Sequence, residues 1–327
     1  MPHITTVDYK APFWCRNKHT QSLLATFKLR KSFVKKRAQA LITHSKEVII
    51  ECSDGVKLQS FYTANTDSKA PLVILIHGWE GSHESLYLLS TAHSLYQAGY
   101  HVVRLNLRDH GDSHHLNPEL FHSNRLDEVV DAVQQIQATY QPQKMFLCGF
   151  SLGGNFALRV AHQAPQRDIK LEKVIAICPA LDPADILVKL ENSLSIYIKY
   201  FMLKWRRSLR KKQQHFPELY DFDNDLQSDS MRQLTWKLIQ HYGDYEDIND
   251  YFSGYNITGN RLLNMQTPCE ILVAKDDPII DYSAIHTLPD HENLKLYASE
   301  HGGHCGFIKN IKLHSWLDEF ILQNINV

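Results

Sequence analysis

A serine hydroxyl attacks a carbonyl carbon efficiently only when a base takes its proton and a carboxylate holds that base. The chain carries all three groups in a workable order. Ser151 stands in Gly149-Phe-Ser151-Leu-Gly153, with a glycine two residues to either side. An apolar run that reads as a strand (144–148) precedes it, and a helical pattern (152–164) follows. Glycines at those positions leave room for a sharp strand-to-helix turn. Such a turn lifts the hydroxyl clear of the sheet, close to a helix N-terminus that favours developing negative charge.

The base must reach that hydroxyl. His304, in Ser299-Glu-His301-Gly-Gly-His304-Cys-Gly306-Phe307, lies in a glycine-rich loop after the last expected strand. Chain order needs a histidine beyond the acid, and the flanking glycines let this loop bend back over the serine turn, with His301 the competing base. Ala274-Lys-Asp276-Asp277-Pro278 follows strand 269–274 and supplies the carboxylate. Asp277, one step further out of the strand, is preferred, with Asp276 the alternative acid. An oxyanion needs preorganised N–H donors. Leu152, the residue after the serine, is one candidate. Trp79, in the loop His77-Gly78-Trp79-Glu80-Gly81-Ser82, is the other.

The surrounding elements must hold these loops together. EVIIEC (47–52) and VKLQSFY (56–62) flank Ser53-Asp54-Gly55 and read as an antiparallel hairpin. A continuous apolar run at 71–77 reads as a buried strand, and 101–107, 173–178, 269–274 and 293–298 read as further strands. Helical patterns at 84–98, 124–140, 152–164 and 309–323 alternate with them. That alternation argues for a doubly wound, mostly parallel sheet with helices on both faces. It stops between 182 and 265, which reads as a helical cap insertion. The expected division is an N-terminal extension of helical character (1–46), a core from 47–181 and 266–327, and the cap (182–265).

The 327 residues carry a net charge of −1, which gives no global pull toward nucleic acid. No P-loop and no G-x-G-x-x-G is present, so nucleotide chemistry lacks a basis. No run approaches a membrane span, and the first residues lack an apolar secretory core. The six cysteines are scattered without a C-x-x-C, as buried reduced thiols would be. These features lead to the expectation of a cytoplasmic chain that needs no cofactor and no metal.

These residues resemble the AB hydrolase superfamily type 4 family. Its members include bacterial esterase-like proteins, yeast medium-chain ethyl-ester synthases/esterases and mammalian abhydrolase-domain lipases. The likeness covers nearly the whole chain. Pro12-Phe-Trp14-Cys-Arg-Asn17-Lys-His19-Thr-Gln21 is similar to the family's N-terminal signature. The 77–82 loop, the serine turn, Asp276-Asp277-Pro278 and His301-Gly-Gly-His304 match its remaining motifs. The resemblance implies an α/β-hydrolase fold and a serine triad of Ser151, Asp277 and His304 acting on a carboxylic ester. The stretch Arg108-Asp-His-Gly-Asp-Ser-His-His115 departs from the family pattern, so substrate preference does not carry over.

Three further signals carry less weight. His101, His110, His114, His115 and His122, with Asp109 and Asp112, fit no metal-binding spacing and read as a solvated loop rim. The basic, aromatic segment 199–212 reads as a cap helix over the cleft that also suits weak contact with a membrane surface. Asn17, His19 and Gln21 read as a tether for the N-terminal extension. Acyl transfer to an alcohol would use the same catalytic groups. A non-catalytic binding scaffold would have no use for an intact triad.

Overall fold

The computed structural model describes residues 2–26 and 28–325. Among the described residues nine strands form one sheet. They are β1 (Ile4–Thr6), β2 (Ser45–Glu51), β3 (Lys57–Thr63), β4 (Leu72–Ile76) and β5 (His101–Leu105). The remaining four are β6 (Met145–Phe150), β7 (Lys173–Ile177), β8 (Cys269–Ala274) and β9 (Leu294–Ser299). Their order is β1-β9-β8-β7-β6-β4-β5-β3-β2. β2 and β3 pair antiparallel around the 53–55 turn, β3 pairs antiparallel with β5, and every other pair is parallel.

The continuous apolar runs follow from burial on both faces. In β4, Leu72, Ile74 and Ile76 point into one core while Val73 and Leu75 point into the other. On the first face pack α5 (Asp127–Tyr140), through Val129, Val130, Val133 and Ile136, and α6 (Leu152–Gln163). On the second pack α4 (Leu86–Gln97), through Leu88, Leu89, Ala92 and Leu95, and the last helix, α11 (Leu317–Ile325). The helices preceding β2 are α1 (Lys18–Thr26), α2 (Lys28–Arg37) and α3 (Gln39–His44).

Between β7 and β8 run α7 (Pro183–Glu191), α8 (Ser195–His215), α9 (Met231–Tyr242) and α10 (Ile248–Ser253). Local sequence starts three of them. Asp182, Ser230 and Asp247 each accept the free N–H groups of the following first turn. Among the described residues no helix is long and apolar enough to cross a membrane.

Two expectations need correction. The first residues are not only helical, because β1 adds a parallel edge strand against β9. Three residues are too few to show a period. The last helix starts at Leu317 rather than 309, since residues 308–315 form turns closed by an Ile308–Ser315 bridge. Asn310 stabilises them by accepting the N–H groups of Lys312 and His314.

Candidate active site

The site stands at the carboxyl ends of β4, β6, β8 and β9. Ser151 follows β6 directly and carries φ 54°, ψ −120° while its carbonyl already accepts from the first turn of α6. A non-glycine residue in that conformation stores about 1–3 kcal/mol, which tight surroundings must hold. The two glycines explain how. A Cβ on Gly149 would lie 2.1 Å from the Gly153 carbonyl oxygen, and one on Gly153 would lie 2.4 Å from the His77 and Ile76 oxygens. The strand, the helix and the neighbouring strand end therefore meet backbone to backbone around Ser151.

The Ser151 hydroxyl lies 2.9 Å from His304 Nε2, and His304 Nδ1 lies 2.8 Å from Asp277 Oδ2. A carboxylate only accepts, so Nδ1 carries a proton, and in the neutral imidazole Nε2 is then free to accept from the serine. Burial disfavours the imidazolium, but Asp277 outweighs it and raises the His304 pKa to about 9. Asp277 is fixed in turn, because its Oδ1 accepts the Ile279 and Ile280 N–H groups. Pro278 has no N–H to compete. Asp276 faces elsewhere. Its Oδ1 accepts the Gly303 N–H at 2.9 Å, and its Oδ2 lies 3.5 Å from His301 Nδ1. The structure thus brings together Ser151, His304 and Asp277, and uses Asp276 and His301 to brace the histidine loop.

The loop 77–82 lies against the serine, since a Cβ on Gly78 would sit 3.0 Å from Ser151 Cβ. Buried His77 shapes it. Leu107 N–H donates to His77 Nε2, so Nδ1 carries a proton and donates it to the Gly78 carbonyl. Burial keeps this imidazole neutral, well below its ordinary pKa. Gly78 N–H donates to Tyr87 Oη, and Glu80 N–H donates to His110 Nε2. Among the described residues, the Leu152 and Trp79 N–H groups have no acceptor within the chain. The Trp79 side chain contributes as well. It stacks on Phe201 and meets Trp205 edge-on, so α8 closes over the loop.

The His/Asp-rich stretch is only in part the solvated rim expected of it, with Asp112 and His115 exposed. Asp109, His110 and His114 are buried. Arg108 pairs with Glu119 and Glu128, and Asp109 accepts from Lys212 of α8 at 2.7 Å. Burial holds the His110 imidazole down at about 4, so it accepts from Glu80 while uncharged. Among the described residues no three His, Cys, Asp or Glu side chains gather as a metal site. All six cysteines are buried and unpaired.

Sequence reasoning missed one contributor. Ser22 Oγ on α1 accepts the His304 N–H at 2.8 Å, while Gln21 Oε1 accepts the Ile308 N–H at 2.7 Å. Gly303 and Gly306 pack so closely on Lys18 and Gln21 that a Cβ on either would lie 2.5 Å from their carbonyl oxygens. The polar cluster at 17–21 was the available signal, but its partner lies at the far end of the chain.

Known proteins share this architecture. A family model described as the alpha/beta hydrolase fold matches residues 71–311. Phospholipase ABHD3 of Bos taurus is 23% identical over 314 residues, covering 94% of this chain and 75% of that protein. YheT of Escherichia coli (strain K12), which bears a provisional esterase name, is 25% identical over 262 residues, covering 77% of this chain and 75% of its own. A solved Pyrococcus furiosus esterase superposes with a TM-score of 0.56 at 17% identity, over 88% of this chain and 94% of that one. That last likeness speaks for the fold alone. The family match extends from β4 past the histidine loop and takes in Ser151, Asp277, His304 and the 77–82 loop, and the chain belongs to the alpha/beta hydrolase fold family.

Proposed function

We propose that the chain is a serine carboxylic-ester hydrolase, acting on a short- to medium-chain acyl or lipid-like ester. The observation that carries this reading is the unbroken relay from Ser151 Oγ through both His304 nitrogens to Asp277. The phospholipase and esterase names of its relatives support the substrate class.

Ser151 Oγ attacks the ester carbonyl carbon while its proton passes to His304 Nε2. The Leu152 and Trp79 N–H groups hold the negative oxygen that forms. The carbonyl re-forms, the alcohol leaves with the proton from His304, and an acyl-Ser151 remains. Water then attacks the acyl group, giving its proton to His304, and the acid departs as Ser151 regains a proton. Asp277 stabilises the imidazolium in both steps without taking its proton. In this reading residues 182–265 form a cap over the core of 47–181 and 266–327, and 1–46 braces the histidine loop.

The test is hydrolysis of p-nitrophenyl esters from acetate to palmitate by wild type and Ser151→Ala, with fluorophosphonate labelling of both. We expect Ser151→Ala to lose on the order of 10³-fold or more in turnover and all labelling. Wild type that neither turns over any ester nor takes the label would leave a ligand-binding scaffold as the better reading.

A further inference from the structure

Helix α8 has two occupied faces and one bare one. Tyr197, Met202, Leu209 and Lys212 are buried, while Phe201 and Trp205 pack on Trp79. The opposite stripe runs Ile196, Lys199, Tyr200, Leu203, Arg207, Arg210, at the three- and four-residue spacing of a single helix face. Ile196 is 50% exposed and Leu203 58% exposed, and Leu194 extends the same apolar end. The helix contains no Asp or Glu. Arg206, Lys211 and Lys212 are ion-paired, but Lys199, Arg207 and Arg210 have no such partner among the described residues. Lys204 leans over the Tyr200 ring but donates to the Glu80 carbonyl, so it is not one of the free cations of this face. Across from it, His19 Nδ1 contacts Tyr197 Oη at 3.0 Å, bringing in α1 with its exposed Leu23 one turn further along.

We propose that this face of α8 docks on an anionic phospholipid surface, apolar end dipping between head groups and cationic end resting on them. The charge pattern selects the occupant. Free cations without a single acid favour an anion, and large apolar side chains on the same stripe favour one that also offers a non-aqueous layer. A soluble polyanion would meet only the first demand. The contact is peripheral, on the outer side of the helix that closes over the 77–82 loop. It brings a lipid ester to the cap without requiring any catalytic group.

The test is co-sedimentation of the full chain with vesicles of pure phosphatidylcholine or of phosphatidylcholine with one quarter phosphatidylserine. Wild type and Ser151→Ala should partition equally onto the anionic vesicles, weakly onto the neutral ones, and less as salt rises. Each cation removed should weaken partition about fivefold, so Arg207→Gln with Arg210→Gln should lose about twenty-fivefold. Leu203→Asp should lose a similar amount. Both variants should keep wild-type turnover of p-nitrophenyl acetate, which shows an intact fold. Equal partition onto both vesicle types, or unchanged partition in either variant, overturns the proposal. So does retention on heparin together with vesicle binding that ignores Leu203→Asp, which would mark a polyanion site. Loss of esterase activity in every form would sink the catalytic reading and leave the docking result standing.

Discussion

His304 ties protonation to both rate and stability. Its folded pKa is raised to about 9 from an ordinary 6.5, so the charged form is favoured by folding. That contribution to stability is complete below about 6.5 and fades as pH rises through about 9. Catalysis runs the other way, because only the neutral imidazole takes the serine proton. We expect kcat/KM to climb with pH through a midpoint near 9 and to level off above it. Asp277→Asn removes the carboxylate but keeps the burial, so the rising limb should move to lower pH while the plateau falls by about a hundredfold to ten-thousandfold. Asp276→Asn should cost far less, since an amide oxygen still accepts the Gly303 N–H. A limb that stays in place in Asp277→Asn, or a larger loss in Asp276→Asn, would exchange the roles of the two acids. The preference for Asp277 was legible from its position beyond β8. The reason was not, because it lies in two N–H groups that reach Oδ1 only once Pro278 has turned the chain.

Elements differ in how much of themselves they write into the sequence. Strands buried on both faces and helices with a full apolar stripe were readable, since each repeats its signal over several turns or pleats. The three-residue β1 and the 308–315 turns repeat nothing, and only their partners define them. The contact between α1 and the histidine loop joins residues 282 apart, beyond any local pattern. Its consequence is measurable. Ser22→Ala strips the His304 N–H of its acceptor, which should lower stability by about 1–3 kcal/mol in urea unfolding. It should lower kcat while leaving KM in place, since the loop and not the substrate loses a contact. An unchanged kcat would reduce α1 to a cover. The serine turn is less forgiving. Gly153→Ala drives a Cβ into two carbonyl oxygens of the adjoining strand end, with no side chain free to yield. The expected loss is at or beyond the ~3 kcal/mol upper end for overpacking, read as a lowered urea midpoint. A near-neutral result would mean that the turn is looser than its contacts imply.

The whole molecule depends on how the helices after β7 seat on the sheet, and one buried cation has a large share in it. Lys212 of α8 has a side chain 1% exposed, and its Nζ donates to Asp109 Oδ1 and to the Asn117 and Glu119 carbonyls. Asp109 is held from its other side by the Phe121 N–H. The loop after β5 thus forms a socket for α8, which explains why Asp109, His110 and His114 are buried rather than solvated. Removing either partner strands a charge in that socket. Lys212→Ala and Asp109→Ala should each lose about 3–5 kcal/mol in urea unfolding. The double variant leaves neither charge unpaired, so its loss should fall short of the sum by about 1–3 kcal/mol. Because α8 also carries Phe201 and Trp205 onto Trp79, each single variant should turn over a soluble ester more slowly as the 77–82 loop loosens. Strictly additive losses would show that the two charges are solvated independently. In that case the aromatic contacts would have the larger share in holding α8, and Trp79→Ala would then become the more damaging change.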